Sequence, residues 1–320
     1  MITVLAGGVG AARFLRGLIQ VVAPTDITAV VNTGDDTVMH GLYICPDLDT
    51  VTYTLAGAID QERGWGLRDE SWRAMEALAR FVPVRPPHSL AAPTWFNLGD
   101  QDLATHFYRT ARLAEGASLT EVTGEIARAF GVHVRLLPMS NDRIETRVSV
   151  VGKGEISFQE YFVQRRHGVP VNEVRFAGAA DATLTGDAAR ALMGADAIVI
   201  APSNPLVSIG PLRALAGVDT ALSGRRASVV AVSPIVGGVA LKGPADRMLE
   251  ELGHESSVVG VARLYAPIAG ALVIDPADAH LAGQVEAAGM RAIVVPSIMS
   301  TPEISAALAR ATLAAAGLQL

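Results

Sequence analysis

The sequence predicts an α/β protein with a Rossmann-like, mostly parallel, doubly wound sheet and a helical and mixed elaboration in the middle of the chain. Two observations lead to this prediction. Short apolar runs, of the kind that a sheet covered on both faces requires, alternate with alanine-rich amphipathic stretches. The chain has 320 residues, of which 50% are hydrophobic, so it is long enough to bury a large core.

The alternation predicts six buried strands and five helices in the sheet region. The strands are residues 2–6, 27–32, 197–201, 228–232, 271–274 and 292–295. The helices are residues 11–22, 187–193, 244–252, 277–288 and 302–315. We expect a single domain over residues 1–320, with a subdomain inserted or appended at roughly 65–185, where three successive helices precede a stretch of short strands.

Composition narrows the possible classes of protein. The formal charge of −6 argues against a protein that coats nucleic acid. Cys45 is the single cysteine, which excludes a disulfide framework. No apolar run approaches the ~20 residues that span a bilayer, and the first residues lack the pattern of a secretion signal. We therefore expect a cytoplasmic protein with neither a membrane nor a nucleic-acid partner.

A glycine-rich loop follows the first predicted strand and opens a helix. Its backbone at Gly8, Val9 and Gly10 can approach a phosphate, because glycine has no side chain and a helix N-terminus offers free N–H groups. Arg13 stands where a dinucleotide fingerprint has its third glycine. The loop therefore predicts a nucleotide site of a type other than NAD, with Arg13 directed at the anion; a plain tight turn is the alternative.

Carboxylates crowd the region after the second predicted strand. Asp35 and Asp36 follow it directly, and Asp47 and Asp49 come soon after. So many acids in a short span indicate a hard cation such as Mg²⁺, with Asp35, Asp36 and Asp49 as its ligands. Solvated turn residues or helix caps are the alternative, which suits Asp47 better than Asp49.

Three further loops carry candidate polar groups. After the strand at 197–201, Ser203, Asn204 and Ser208 suit the binding of a base or a phosphate. Lys242, one of two lysines, lies beside glycines ahead of a predicted helix and suits a phosphate. Residues 100–106 contain two aspartates and His106, and their spacing fits helix capping and a surface histidine as well as a site.

Taken together, seven motifs resemble the 2-phospho-L-lactate transferase family of coenzyme F420 biosynthesis. They occur in order along the chain: LAGGVGAAR (5–13), NTGDD (32–36), CPDLDT (45–50), RGWG (63–66), DQDLATH (100–106), PSNP (202–205) and SPIVGG (233–238). Each motif alone is weak, but seven in register are specific.

The resemblance implies a phosphodiester-forming, Mg²⁺-dependent phosphotransferase, commonly a homodimer. Its acceptor would be the deazaflavin Fo, and its donor a guanosine diphosphate that carries a lactyl, enolpyruvyl or glyceryl acid. A ribityl hydroxyl of Fo would attack the phosphorus next to the acid, so that GMP leaves and F420-0 or dehydro-F420-0 forms. The glycine loop and the PSNP loop would bind the guanine nucleotide, and Lys242, on its position beside glycines, would join them.

The resemblance also implies roles for the acidic motifs. Asp49 and Asp36 would be catalytic, and Asp49, Thr50, Asp100 and Gln101 would contact Fo. Family members usually carry a basic residue where this chain has Gln101, so Arg13, Lys242 or Arg68 would have to compensate. The proton acceptor stays open among the clustered carboxylates and His40.

Two alternatives come from other classes of protein. The related gluconeogenesis factors share the glycine loop and would make this chain a non-catalytic regulator that binds nucleotide sugars. A nicotinamide-dependent oxidoreductase is the second alternative, and Arg13 counts against it.

We predict that Asp49→Asn abolishes transfer while the protein keeps its fold, because the amide cannot replace a carboxylate as metal ligand or Fo contact. GMP release and circular dichroism measure the two effects. Near wild-type turnover would remove Asp49 from the mechanism.

Overall fold

The computed structural model describes residues 1–89 and 91–319. Its strands are β1 Ile2–Ala6, β2 Ile27–Val31, β3 Thr37–Met39, β4 Leu42–Ile44, β5 Arg135–Pro138, β6 Glu145–Val150, β7 Gly154–Ser157, β8 Val171–Ala177, β9 Ala197–Ile200, β10 Val229–Val232, β11 Ile235–Val236, β12 Val239–Ala240, β13 Ala271–Ile274 and β14 Arg291–Val294.

The helices alternate with these strands. They are α1 Gly8–Leu18, α2 Pro46–Leu55, α3 Arg73–Leu78, α4 Asp100–Ala114, α5 Leu119–Ala129, α6 Gly186–Gly194, α7 Gly210–Arg213, α8 Val218–Ser223, α9 Ala245–Glu251, α10 Val258–Tyr265, α11 Ala282–Ala287 and α12 Pro302–Ala315. Short 3₁₀ helices occur at Pro24–Asp26, Ala79–Phe81, Arg226–Ser228 and Pro276–Leu281, and a π-helix at Glu160–Gln164. None of the helices within these described residues is long and apolar enough to cross a membrane.

Seven parallel strands form the central sheet, in the order β14-β13-β10-β9-β1-β2-β5. The strand order reverses direction between β1 and β9, since the chain first adds strands on one side of β1 and later on the other. Ligands of open α/β sheets bind at the carboxyl ends of the strands beside such a switch point. The glycine loop and the loop at 202–208 leave the sheet at this point. The predicted Rossmann-like fold class is confirmed.

Successive side chains along each strand point to opposite faces of the sheet and pack into two apolar cores, one on each face. Leu5, Val30 and Ile200 belong to one core, whereas Val4 and Val31 belong to the other. All five are fully buried. Burial on both faces explains why the strands read as continuous apolar runs.

The structure confirms the six predicted strands and adds a seventh, β5. Its signal is weak because it is a four-residue edge strand that begins at the exposed Arg135 and ends at Pro138. The predicted helix at 277–288 is instead a 3₁₀ helix followed by α11. Sequence patterning also missed α10, although Ser257 caps its first turn.

The middle of the chain is mixed in structure, as expected. It contains α3, α4, α5 and a three-stranded antiparallel sheet in the order β7-β6-β8. Because β5 lies within it and pairs with β2, this stretch also contributes to the central sheet. The division at roughly 65–185 stays a prediction.

Close backbone packing fixes the glycine loop to the neighbouring loop. A Cβ on Gly10 would lie 2.0 Å from the carbonyl oxygen of Pro202, and one on Gly7 would lie 2.7 Å from the Cβ of Ser208. Ser203 Oγ donates a hydrogen bond to the Gly7 carbonyl at 2.8 Å. Glycine is required here by contact between the two loops as well as by access for a ligand.

We predict that Gly10→Ala destabilises the protein by about 1–3 kcal/mol, because the new methyl group meets backbone rather than a movable side chain. The midpoint of urea unfolding measures the change. Gly283→Ala is the control: Gly283 lies in α11 with open space around it, so alanine there should be neutral or stabilising. Equal stability of the two variants would contradict this account of the loop.

Candidate active site

A cavity of about 780 Å³ lies at the carboxyl ends of the central strands. Loops after β1, β2, β9, β10 and β14 form part of its wall. Helices α2 and α4 and the segments at 65–66, 95–97, 158–163 and 241–244 also line it. Most of the predicted site residues line it: Gly8, Val9, Gly10, Arg13, Asp35, Asp49, Thr50, Ser203, Asn204, Ser208 and Lys242. The structure thus brings these dispersed motifs to one place.

Three of the predicted site residues do not line this cavity. Asp36 is buried behind it. Asp100 accepts hydrogen bonds from the backbone and hydroxyl of Ser71, at 2.8 and 2.9 Å, and so ties the start of α4 to the preceding segment. Gln101 lies in a second cleft with Arg68, whose carbonyl accepts from Gln101 Nε2 at 3.2 Å. His40, on the β3–β4 turn, is exposed and also lies outside the cavity lining.

The glycine-loop side of the cavity is basic. Helix α1 starts at Gly8, and its preceding residue Gly7 has no side chain to cap the first turn. In the part of the chain that the structure describes, neither Arg13 nor Lys242 forms an ion pair. Partial burial and the nearby Arg13 lower the pKa of Lys242. Two cations therefore face this space, whereas the N-terminus of α1 already has the Asp47 carboxylate against Gly7 and Gly8. The two unpaired side-chain charges favour an anion.

Several polar groups of the loop after β9 already form hydrogen bonds within the protein. Asn204 Oδ1 accepts from the backbone N–H of Leu206 at 2.9 Å and of Val207 at 3.3 Å. Ser203 is engaged with the glycine loop, as described above. Asn204 Nδ2 faces Met248 Sδ at 3.7 Å and is the amide group left for other hydrogen bonds.

The opposite side of the cavity is acidic. Burial raises the pKa of Asp35 and of Asp36 well above the ordinary value, and the pKa of Asp47 to about 6. Asp35 Oδ1 and both carboxylate oxygens of Asp36 are buried without a hydrogen-bond partner. Buried carboxylates are costly unless they are paired, protonated or bound to a cation. The unpartnered oxygen of Asp35, which lines the cavity, therefore fits a cation at this end, whereas the oxygens of Asp36 lie outside the lining.

Asp49 stands next to this group but is differently placed, because its carboxylate forms a buried ion pair with Arg109. Arg109 Nη1 lies 3.1 Å from Asp49 Oδ2, and Nη2 contacts Oδ1. The Arg109 side chain is only 2% exposed. Such a two-oxygen contact fixes the plane of a carboxylate.

His106 and Asp102 extend this network along one face of α4. His106 Nδ1 lies 3.2 Å from Arg109 Nη1, and His106 Nε2 lies 3.4 Å from Asp102 Oδ1. Tyr53 donates a hydrogen bond to the same Asp102 oxygen at 2.6 Å. Although burial raises the pKa of Asp102, the nearby His106 and the hydrogen bond from Tyr53 hold that pKa below its ordinary value.

One group of side chains has the spacing of a metal site. Ligand atoms of Asp49, Asp102 and His106 lie within 4.8 Å of one another. The sequence predicts Asp35, Asp36 and Asp49 as metal ligands. Only Asp49 belongs to both groups, and its partners in the observed group are Asp102 and His106. Oxygen donors suit Mg²⁺, whereas imidazole suits transition metals. Arg109 already supplies a positive charge to this group, while the oxygens of Asp35 and Asp36 have no cation.

Aromatic side chains line the cavity between its two ends. Trp65 is 42% exposed and packs against Trp72 with ring centroids 5.8 Å apart, and the Arg63 guanidinium lies beside both rings, 5.4 and 5.1 Å from their centroids. Phe158 and Phe162 stack with centroids 5.5 Å apart on another wall. Flat apolar faces of this kind suit a planar ring system.

Sequence reasoning missed several of these residues. Arg109 was not singled out, although Asp102, His106 and Arg109 have the i, i+4, i+7 spacing that puts side chains on one helix face. The open question about His106 is resolved, since it is buried at 1% exposure. Phe158 and Phe162 gave no signal, because their approach to the cavity depends on how the antiparallel sheet packs.

Comparison with known proteins identifies the family. The sequence profile of the 2-phospho-L-lactate transferase CofD matches residues 2–295. The chain belongs to this family. The resemblance seen in the motifs is therefore confirmed, and membership makes the chain a transferase.

Curated relatives match over nearly their whole length. A phosphoenolpyruvate transferase of Streptomyces griseus is 44% identical over 98% of this chain and 97% of its own. One of Mycolicibacterium smegmatis is 41% identical over 100% of this chain and 99% of its own. A solved structure of a UPF0052 family protein from Bacillus halodurans has a TM-score of 0.59 at 15% identity, over 98% of each chain, which supports the fold.

We predict that Asp49→Asn also lowers the free energy of unfolding by about 3–5 kcal/mol, because it leaves the buried Arg109 charge without its partner. Urea unfolding measures the loss. Asp219→Asn is the control, since its ion pair with Arg213 is half exposed at Asp219 and should contribute about 1 kcal/mol or less. Equal losses in the two variants would contradict the assignment of a buried pair at Asp49.

Proposed function

We propose that the protein transfers a phosphoenolpyruvyl, phospholactyl or phosphoglyceryl group from its guanosine diphosphate adduct to the deazaflavin Fo, within coenzyme F420 biosynthesis. The observation that carries the proposal is the composition of one cavity. It joins an anion-binding loop and two unpaired cations to a buried acidic cluster, with aromatic walls between them. Family membership and the names of the relatives support the same reaction class.

The basic side of the cavity suits the donor. Arg13, Lys242 and the N–H groups at Gly8–Gly10 can neutralise a diphosphate, and Ser208 and the free amide group of Asn204 can bind the guanosine. The aromatic side suits the acceptor, because the deazaflavin ring is planar. Asp49 and Thr50 at the start of α2 lie where they can contact both substrates.

In the proposed step, a ribityl hydroxyl oxygen of Fo forms a bond to the phosphorus next to the acid. The bond from that phosphorus to the bridging oxygen breaks, and GMP leaves with the electron pair. The hydroxyl proton passes to a carboxylate at the acidic side of the cavity. Because transfer at phosphorus needs mainly alignment and charge neutralisation, the protein needs no covalent nucleophile.

We assign Mg²⁺ to the acidic side, held by Asp35, Asp36 and Asp49 as the sequence predicts, with the unpartnered oxygens of Asp35 and Asp36 in support. When bound, Mg²⁺ would neutralise charge on the diphosphate. Asp36 would act from behind the cavity wall. Asp100 and Gln101 would reach Fo only if it extended beyond this cavity. We also propose that the protein is a homodimer and that it is located in the cytoplasm.

The direct test is incubation of the protein with Fo, Mg²⁺ and each guanylated acid, with GMP and the phosphodiester product followed by mass spectrometry. We expect stoichiometric GMP and product, and loss of both on chelation. Tight nucleotide-sugar binding without GMP release would instead favour the regulatory alternative. Competition among the three acids identifies the donor.

We predict that Lys242→Met raises KM for the donor roughly 10- to 100-fold, because it removes a charged hydrogen-bond donor from the anion site. Steady-state kinetics at saturating Fo measure it. Lys153→Met is the control: Lys153 is the other lysine and lies exposed in the β6–β7 turn. Equal donor KM in the two variants would remove Lys242 from the site.

A further inference from the structure

Arg109 is the largest of the fully buried side chains in the described part of the chain, and it does not line the cavity. Its guanidinium lies behind two residues that do, Asp49 and His106. A third contact, from Nη1 to the Tyr43 carbonyl at 3.3 Å, joins it to the end of the β3–β4 hairpin. Arg109 is thus held in place by groups from α2, α4 and β4.

The contact between Arg109 and His106 determines where the imidazole carries its hydrogen. A guanidinium has only donors, so Nδ1 of His106 must accept at 3.2 Å and cannot carry a hydrogen. The neutral ring then carries its hydrogen on Nε2, which is buried 3.4 Å from Asp102 Oδ1 without forming a hydrogen bond. Tyr53 donates a hydrogen bond to the same Asp102 oxygen at 2.6 Å and orients that carboxylate.

We propose that Arg109 is a positioning residue that fixes the Asp49 carboxylate on one side and the tautomer of His106 on the other. Its planar fork is essential to this role, since only a guanidinium reaches both oxygens of Asp49 and Nδ1 of His106 at once. The proposal deepens the proposed function, and it also stands apart from it because the tautomer is a property of the protein without substrate.

This arrangement determines which side chains of the network can still bind a metal. Asp49 with Arg109 is a neutral pair, and each of its oxygens keeps a second lone pair for a further partner. His106, with one nitrogen accepting from Arg109 and the other carrying a hydrogen, has no free lone pair for a metal. The group Asp49, Asp102 and His106 is therefore an internally neutralised network rather than a three-ligand metal site.

The first experiment is ¹⁵N-detected NMR of histidine side chains in the wild-type protein, with the His106 signals assigned from their absence in His106→Gln. We expect the neutral tautomer with hydrogen on Nε2 and a lone pair on Nδ1. Hydrogen on Nδ1, in the neutral or the charged ring, would overturn the proposal whether or not the protein has the proposed activity.

The second experiment compares Arg109→Lys with Arg112→Lys, the latter in an exposed ion pair on the same helix. Lysine keeps the charge at 109 but contacts one partner at a time. We expect Arg109→Lys to keep the melting temperature within a few degrees, to give a mixture of His106 tautomers, and to lower kcat roughly 10- to 100-fold with KM unchanged. We expect Arg112→Lys to match wild type in all three.

If folded Arg109→Lys kept both the His106 tautomer and kcat of the wild type, Arg109 would act only through its positive charge. That result would overturn the proposal. Should that variant fail to fold, the wild-type NMR result decides by itself. Absence of turnover in the wild-type protein would contradict the proposed function alone, since the tautomer shift between wild type and Arg109→Lys would still be measurable.

Discussion

The site depends on close contact between two loops that leave the sheet on either side of its switch point. Gly7 and Gly10 let the first turn of α1 lie against Ser208 and Pro202, with no room for a side chain at either position. This contact brings the amide groups of the glycine loop beside the loop after β9. A wider separation would leave the basic wall of the cavity in two pieces.

Around this contact, the fold places cationic side chains on one side of the cavity and carboxylates on the other. The cations Arg13 and Lys242 come from the α1 side and from the segment before α9, whereas the carboxylates come from the loop after β2 and from α2. Asp49 is neutralised from behind by Arg109, while Asp35 and Asp36 are not. The arrangement gives a polarised cavity suited to a substrate that carries both phosphates and a metal.

Sequence patterning predicted the sheet well, because strands buried on both faces show as apolar runs and the loops after them carry polar residues in register. It predicted the residues near the strand ends, such as Gly8, Asp49 and Asn204, for the same reason. It could not place Asp100 and Gln101, since capping residues and ligand contacts at the start of a helix share the same composition. The spacing of Arg109 from Asp102 and His106 predicts a shared helix face, but its contact with Asp49 and the position of Phe162 follow from packing between elements that are distant along the chain.

Arg13 and Lys242 repel each other, and among the described residues no acidic side chain forms an ion pair with either of them. Any small oxyanion that enters removes part of that repulsion, so sulfate and inorganic phosphate compete for the same space whatever the true donor is. The repulsion between Arg13 and Lys242 thus makes the anions of the buffer relevant to every binding measurement on this protein.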